Sequence, residues 1–142
     1  MGTYATQSDL ESVFGTVNIA KWSQLDATTD NTTADTVRIA AAIAYAESEI
    51  NDRFRTSRYQ VPLVANSTVP RSLVHWVCVG AGLWLYRSKN MDASSDQAST
   101  YESMELRVND EINSYLSGQR ELDCVSKSNG GSRMTAAPTV FM

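Results

Sequence analysis

Residues 70–90, PRSLVHWVCVGAGLWLYRSKN, decide the fold of this chain, because residues 73–86 are apolar or small at every position except His75. Pro70 suits the first turn of a helix, where a missing N–H needs no partner, and Arg87 suits the last turn, where positive charge favours the helix dipole. A helix that is apolar on nearly all sides must be covered on nearly all sides. The stretch therefore predicts a buried central helix around which the other helices pack.

A membrane span is the competing interpretation of this stretch. A transmembrane helix needs roughly 18 or more consecutive apolar residues, whereas runs of about 10–14 are more typical of buried core helices. Arg71 and Arg87 end the apolar run too early for a span. We therefore expect a core helix and no membrane partner.

The composition is that of one ordinary globular domain. The chain has 142 residues, 42% hydrophobic and 20% charged, which is enough for one core. Its formal net charge of −4 implies no general affinity for nucleic acid or for an anionic membrane. Its cysteines, Cys78 and Cys124, form neither a metal-binding pattern nor a disulfide framework, so we expect a reducing compartment.

Further helices are predicted around the central one. Thr6 and Asp9 have the spacing of a helix N-terminus, and Gly15 is a natural end for a short helix. Apolar residues at helical spacing predict three more helices, over residues 17–25, 34–55 and 95–117. The expected fold class is all-α: a small helical bundle around one apolar central helix.

The helix at residues 34–55, with Thr33 as its N-cap, is the main expected partner of the central helix. Its apolar stripe is formed by Ile39, Ile43, Ala46 and Ile50. Three alanines widen this face: Ala40, Ala41 and Ala44. We expect Trp84 of the central helix to be buried against it. Three carboxylates near its end are interpreted as a solvated face, not as a catalytic pair: Glu47, Glu49 and Asp52.

Residues 56–69, TSRYQVPLVANSTV, are predicted to form an extended arm or a short edge strand, because Pro62 forbids helix and its neighbours favour extended backbone. An exposed arm with unpaired backbone groups invites pairing with another chain. We therefore predict a subunit interface at Tyr59, Val61 and Leu63. The alternative is that the arm folds back on its own helices.

The last part of the chain shows no helical periodicity. We divide the chain into a helical domain, residues 1–122, and a flexible C-terminal extension, residues 123–142, that begins with a linker-like SKSNGGS at 126–132. Apolar residues follow this linker and are predicted to dock on a partner in extended form: Met134, Pro138, Val140, Phe141 and Met142. The alternative is that this terminus stays disordered.

The sequence offers little for catalysis. His75 is the only histidine and is interpreted as a packed residue, which leaves nothing for a catalytic triad. Gly80 and Gly82 lack the context of a dinucleotide-binding loop, so we assign them to close helix packing. No metal-binding motif is present. We expect no enzyme, no cofactor and no metal site.

One basic cluster, Arg53, Arg55 and Arg58, leaves two interpretations open. The guanidinium groups could contact nucleic-acid phosphates. They could instead complement the helix dipole and pair with nearby acids, which is the interpretation we favour. A DNA-reading regulator needs a basic recognition helix, and none of the predicted helices is basic.

Several segments together resemble a family of small tailed-phage proteins found in Mu-like phages. The segments that carry the resemblance are YATQSDL at 4–10 followed by Phe14-Gly15, INDRF at 50–54, RYQVPL at 58–63, and the proline-initiated apolar helix from Val69-Pro70 onward. The resemblance covers about residues 4–118, and it is the order and spacing of these motifs that makes it specific. Residues 122–142 have no counterpart in it.

The resemblance implies a head–tail connector, also called a neck adaptor or head-completion protein. Such a protein would form a ring, expected to be a dodecamer, beneath the portal protein and above a downstream tail or stopper protein, with DNA passing without sequence preference through the lumen. On its composition, and not on the resemblance, the apolar end of the extension is expected to bind the portal. The implied location is the neck of the virion, after assembly in the host cytoplasm. A small helical DNA-binding or regulatory protein is the alternative.

Overall fold

The computed structural model of this protein describes residues 4–24, 32–88 and 96–127. Within these ranges the chain forms five α-helices and no β-strand. The helices are α1 (Gln7–Phe14), α2 (Thr16–Ser23), α3 (Thr36–Phe54), α4 (Arg71–Ser88) and α5 (Asp96–Leu116). The all-α fold class predicted from the sequence is confirmed.

Helix α4, the apolar stretch, is the centre of the bundle and contacts each of the other helices. It buries three consecutive residues, Val77, Cys78 and Val79, whose side chains point about 100° apart around the helix axis, so the helix is covered on several sides. In the part of the chain that the structure describes, no helix is long and apolar enough to cross a membrane. His75 differs from expectation, because it lies one turn after the exposed Arg71 and is itself exposed.

The first helices follow the predicted capping chemistry. Thr6 and Asp9 form a capping box, in which the backbone N–H of Asp9 donates to Oγ1 of Thr6 at 3.2 Å and the backbone N–H of Thr6 donates to Oδ2 of Asp9 at 2.9 Å. Gly15 ends α1 and begins α2 with a φ of 94°, a conformation that favours glycine. This single residue therefore sets the turn between the two helices.

Close packing of α1 on α4 depends on Gly82. A Cβ atom added at Gly82 would lie 2.1 Å from Cε2 of Phe14, where no side chain could be accommodated without a shift. The ring of Phe14 meets Trp22 and Tyr101 edge-on, with centroid distances of 5.4 and 5.6 Å. Aromatic contacts thus join α1, α2 and α5, and the predicted packing role of the glycine is confirmed.

Helix α3 begins at Thr36 with Asp35 as its N-cap, so the prediction of Thr33 was wrong. Oδ1 of Asp35 accepts a hydrogen bond from the backbone N–H of Arg38 at 3.1 Å. A carboxylate at this position also favours the positive end of the helix dipole. The backbone N–H of Asp35 donates to Oγ of Ser23 at 2.9 Å, which fixes the start of α3 against the end of α2.

The buried tryptophan of α4 is Trp76, and the expectation that Trp84 is buried was wrong. Trp76 stacks on Phe54 of α3 at a centroid distance of 6.1 Å and meets Tyr115 of α5 edge-on at 5.3 Å. Its indole N–H donates to Oε1 of Glu111 at 2.9 Å. Trp84 lies two turns further along α4 and is only partly buried.

Candidate functional site

The arm, residues 56–69, connects α3 to α4 and pairs with residues 122–127 of the same chain. Isolated antiparallel bridges join Tyr59 to Ser126 and Ala65 to Cys124. The backbone N–H of Gln60 donates to the carbonyl of Val125 at 2.9 Å. Five residues of the predicted extension, 123–127, therefore form backbone contacts with the arm, although they lie beyond the boundary that we placed at 122.

The apolar side chains of the arm are buried, whereas we expected them to be exposed. Tyr59 and Leu63 are only 2% and 4% exposed, and Val61 is partly buried. Gln60, Pro62 and Val64 are the exposed residues, as the alternation of an extended segment requires. The predicted exposure of Tyr59 and Leu63 was wrong, because the helices bury the apolar side of the arm. A contact of the arm with a neighbouring subunit stays a prediction, and Val64 has the exposed apolar side chain for it.

Tyr59 connects the arm to the end of the helical domain. Its ring meets Phe54 edge-on at a centroid distance of 5.7 Å. Its hydroxyl oxygen accepts hydrogen bonds from the backbone N–H of Leu122 at 2.7 Å and from the guanidinium of Arg58 at 3.1 Å. Tyr59 is thus a core residue with a satisfied polar end.

Tyr4 and Glu47 form a second connection that sequence reasoning missed. The backbone N–H groups of Tyr4 and Ala5 donate to Oε2 of Glu47 at 2.6 and 3.3 Å. The hydroxyl of Tyr4 donates to Oδ1 of Asn51 at 2.5 Å and accepts from the backbone N–H of Leu63 at 2.7 Å. Burial, opposed by these hydrogen bonds, raises the pKa of the Tyr4 phenol. The start of the chain, α3 and the arm are therefore joined at one point.

Glu47 is buried, so its assignment to a solvated face was wrong. The signal was present in the sequence, because position 47 lies four residues after Ile43 and three before Ile50, on the apolar stripe of α3. A carboxylate on such a stripe must find donors. Here the donors come from the backbone at residues 4 and 5.

The basic cluster is distributed among partners within the chain. The guanidinium of Arg53 donates to the side-chain oxygens of Asn109 and Asn113 at 2.8 and 2.9 Å, which joins α3 to α5. Arg55 pairs with Asp52 at 3.1 Å, and Arg58 lies 4.0 Å from Glu121. Each of the three guanidinium groups thus has a partner within the chain.

The cysteine thiols are poorly placed to act as nucleophiles. Cys78 and Cys124 are free and buried. Burial, with a smaller effect from the charge of Asp9, raises the pKa of Cys78 to about 12, and burial also raises the pKa of Cys124. Since the thiolate is the reactive form, burial makes both thiols poor nucleophiles. Among residues 4–24, 32–88 and 96–127, no group of three or more His, Cys, Asp or Glu side chains could hold a metal ion.

The apolar residues predicted to bind the portal lie outside the described residues: Met134, Pro138, Val140, Phe141 and Met142. The described chain reaches Lys127, whose backbone N–H donates to the carbonyl of Arg58 at 2.8 Å. Its ammonium group donates to the carbonyl of Arg55 at the same distance. Lys127 therefore lies beside the end of α3.

The helices that pack around α4 define a small all-α protein. The family model described as Bacteriophage Mu, Gp36 matches residues 4–113 of the chain. This match spans most of the chain, from the Tyr4 connection into α5, and the chain belongs to that family. The resemblance to a Mu-like phage family is thus confirmed. No curated protein matches the chain.

Proposed function

We propose that this chain is a structural virion protein, a head–tail connector that forms a ring beneath the portal and allows DNA to pass through the lumen. The observation that carries the proposal is membership of the Bacteriophage Mu, Gp36 family over residues 4–113. That membership supports a structural or assembly role in a phage. The neck of the virion, a dodecameric ring, and the portal and tail or stopper proteins as partners are the finer parts of the proposal.

The charge of the molecule supports passage of DNA without tight binding. The formal net charge is −4, and a protein that binds DNA tightly neutralises several phosphates with basic side chains. The guanidinium groups of Arg53 and Arg55 already have partners within the chain. A structural role without catalysis is also part of this proposal.

Mass photometry of the purified chain, alone and with portal, tests the ring. We expect a species of about twelve times the 15.6 kDa chain mass, alone or on the portal. A gel shift with random duplex tests the alternative, a DNA-binding regulator. Sequence-specific binding in the range of roughly 10⁻⁸ M or tighter, typical of operator-reading proteins, would favour that alternative and contradict the connector.

Truncation after Lys127 tests the predicted portal-binding tail. Every described contact is kept, so we expect unchanged thermal stability. The shortened protein should no longer attach to portal-bearing heads, because multiple tails in a ring combine weak contacts into a strong one. A second variant replaces Val140 and Phe141 by serine in the full chain, which keeps the length of the tail but removes apolar surface, so it should also fail to attach. Wild-type decoration of the heads by the truncated protein would contradict the role of the tail.

A further inference from the structure

The outer face of α3 is apolar where an exposed helix face is normally charged or polar. Between Thr36 and Ser48 its exposed positions are Thr36, Val37, Ala41, Ala44, Tyr45 and Ser48. Val37 and Tyr45 are 79% and 51% exposed. Ala41 and Ala44 lie on this outer face, so the prediction that they widen the core-facing stripe was wrong. The face is available to a partner.

An aromatic and arginine cluster lies beside this face. The ring of Tyr45 is 6.0 Å from that of Trp84, and Cζ of Arg38 lies 4.6 Å above the Trp84 ring. Nε of Arg38 is buried and has no hydrogen-bond partner in the part of the chain that the structure describes. We call Arg38, Tyr45 and Trp84, with Val37 and Ala41, the α3 patch.

The α3 patch has the composition and shape of a binding hot spot. Tryptophan, tyrosine and arginine are the residues that dominate binding energy at protein interfaces. Tyr45 and Trp84 also line an open groove of about 540 Å³ between α3, α4 and α5, together with Gly80 and Leu83. The guanidinium of the partly exposed Arg38 favours a carboxylate acceptor. The fitting partner therefore presents an apolar side chain next to a carboxylate.

Helix α5 presents that combination on its outer side. Leu106 is 65% exposed. It lies two residues before the buried Val108 and therefore points to nearly the opposite side of the helix. Glu102 and Asp110 are also exposed, and each lies four residues from Leu106, so all three share one face of the helix. We call Glu102, Leu106 and Asp110 the α5 knob.

We propose that the α5 knob of one copy of this chain docks on the α3 patch of the next copy. Leu106 packs on Tyr45 and Trp84, and a carboxylate of the knob accepts a hydrogen bond from Arg38. The argument for a second copy is complementarity: the patch is apolar with a cation, and the knob is apolar with anions. The inference rests on the proposed function and names the surfaces that would join the ring.

The geometry of such a contact suits a ring. The patch lies on α3 and α4 and the knob on α5, so the two surfaces share no residue. A contact between different surfaces is heterologous, and it repeats from copy to copy until the rotation closes. A two-fold contact through one shared surface would stop at a dimer.

Cysteine cross-linking of the full chain tests the pairing directly. Tyr45→Cys and Leu106→Cys are made as separate variants, because a disulfide forms only when the Cα atoms lie within about 7 Å of each other. Mild oxidation of the mixture should give a cross-linked pair that neither variant gives alone, and the double variant should give a ladder of oligomers. Val17→Cys replaces Leu106→Cys as control, since Val17 is also apolar and exposed but lies on α2.

Charge reversal provides the second measurement. Arg38→Glu, or Glu102→Arg with Asp110→Arg, should weaken self-association by about 30-fold or more, which is about 2 kcal/mol at about 1.4 kcal/mol per factor of ten. Combining the reversals should restore association. Arg55→Glu is the control, because it changes the same charge at an exposed site outside the patch.

The outcomes separate this inference from the proposed function. If the wild type forms rings and the variants do so equally well, or if Tyr45→Cys cross-links only to itself, the pairing is wrong and the ring stands. If truncation after Lys127 alone abolishes self-association, the patch is filled by residues 128–142 instead. If the wild type stays monomeric both alone and with portal, the pairing and the connector function both fail.

Discussion

Replacing Trp76 with alanine is expected to destabilise the protein by about 3–5 kcal/mol, the usual range for a large aromatic residue removed from a core. Trp76 is buried between Phe54 of α3 and Tyr115 of α5. The substitution also leaves Glu111 without the indole N–H that lies 2.9 Å away. Chemical denaturation measures the free energy of unfolding. A loss of that size threatens a domain of ordinary marginal stability.

Trp84→Ala is the matched control, because it removes the same side chain from the same helix. Trp84 is partly buried, and its contact with the guanidinium of Arg38 is of the kind worth about 0.5–1 kcal/mol at an exposed site. We expect the loss of stability to be about 1–2 kcal/mol. A larger loss for Trp84→Ala than for Trp76→Ala would contradict the observed orientation of α4.

Replacing Tyr59 with alanine is the second change with a large expected effect, again about 3–5 kcal/mol. The ring is buried against Phe54, and the hydroxyl oxygen accepts the backbone N–H of Leu122. Tyr59→Phe separates the two contributions. It keeps the ring and leaves the N–H of Leu122 unsatisfied, which costs about 1–3 kcal/mol.

Hydrogen exchange shows whether the loss of stability arises at the contact between the arm and residues 122–127. In Tyr59→Phe, exchange should become faster at Leu122 and at Val125, whose N–H donates to the carbonyl of Val64 at 2.7 Å. Tyr45→Phe is the control, because Tyr45 is a half-exposed tyrosine on α3. If Tyr59→Phe and Tyr45→Phe have equal effects, the hydroxyl of Tyr59 does not hold the arm.

The helical framework could be predicted from the sequence because its signals are local. The capping box at Thr6, the glycine at position 15 and the apolar run of α4 each determine structure within a few residues. The orientation of α4 could not be predicted in this way. A helix that is apolar on all sides has no periodicity to show that Trp76 faces its neighbours and Trp84 faces a groove.

The contacts of the arm depend on partners far away in the sequence. Alternation shows that Tyr59 and Leu63 share a side, but it does not show whether that side faces helices or solvent. The distant contacts decide this. The backbone N–H of Leu122 donates to the hydroxyl of Tyr59 across 63 positions, and the hydroxyl of Tyr4 accepts from the backbone N–H of Leu63 across 59 positions. The apolar outer face of α3 was likewise hidden, because alanine fits both a buried and an exposed position of a helix.

The pairing of the arm with residues 122–127 has a consequence for synthesis. The hydroxyl of Tyr59 and the backbone of Leu122 are separated by 63 residues, so the ribosome completes the arm's partner roughly 3–13 s after the arm itself. Helices α1 to α4 can pack together during that interval, while the arm still lacks its contacts with residues 122–127. A nascent chain therefore lacks a finished arm until residues 122–127 have been synthesised.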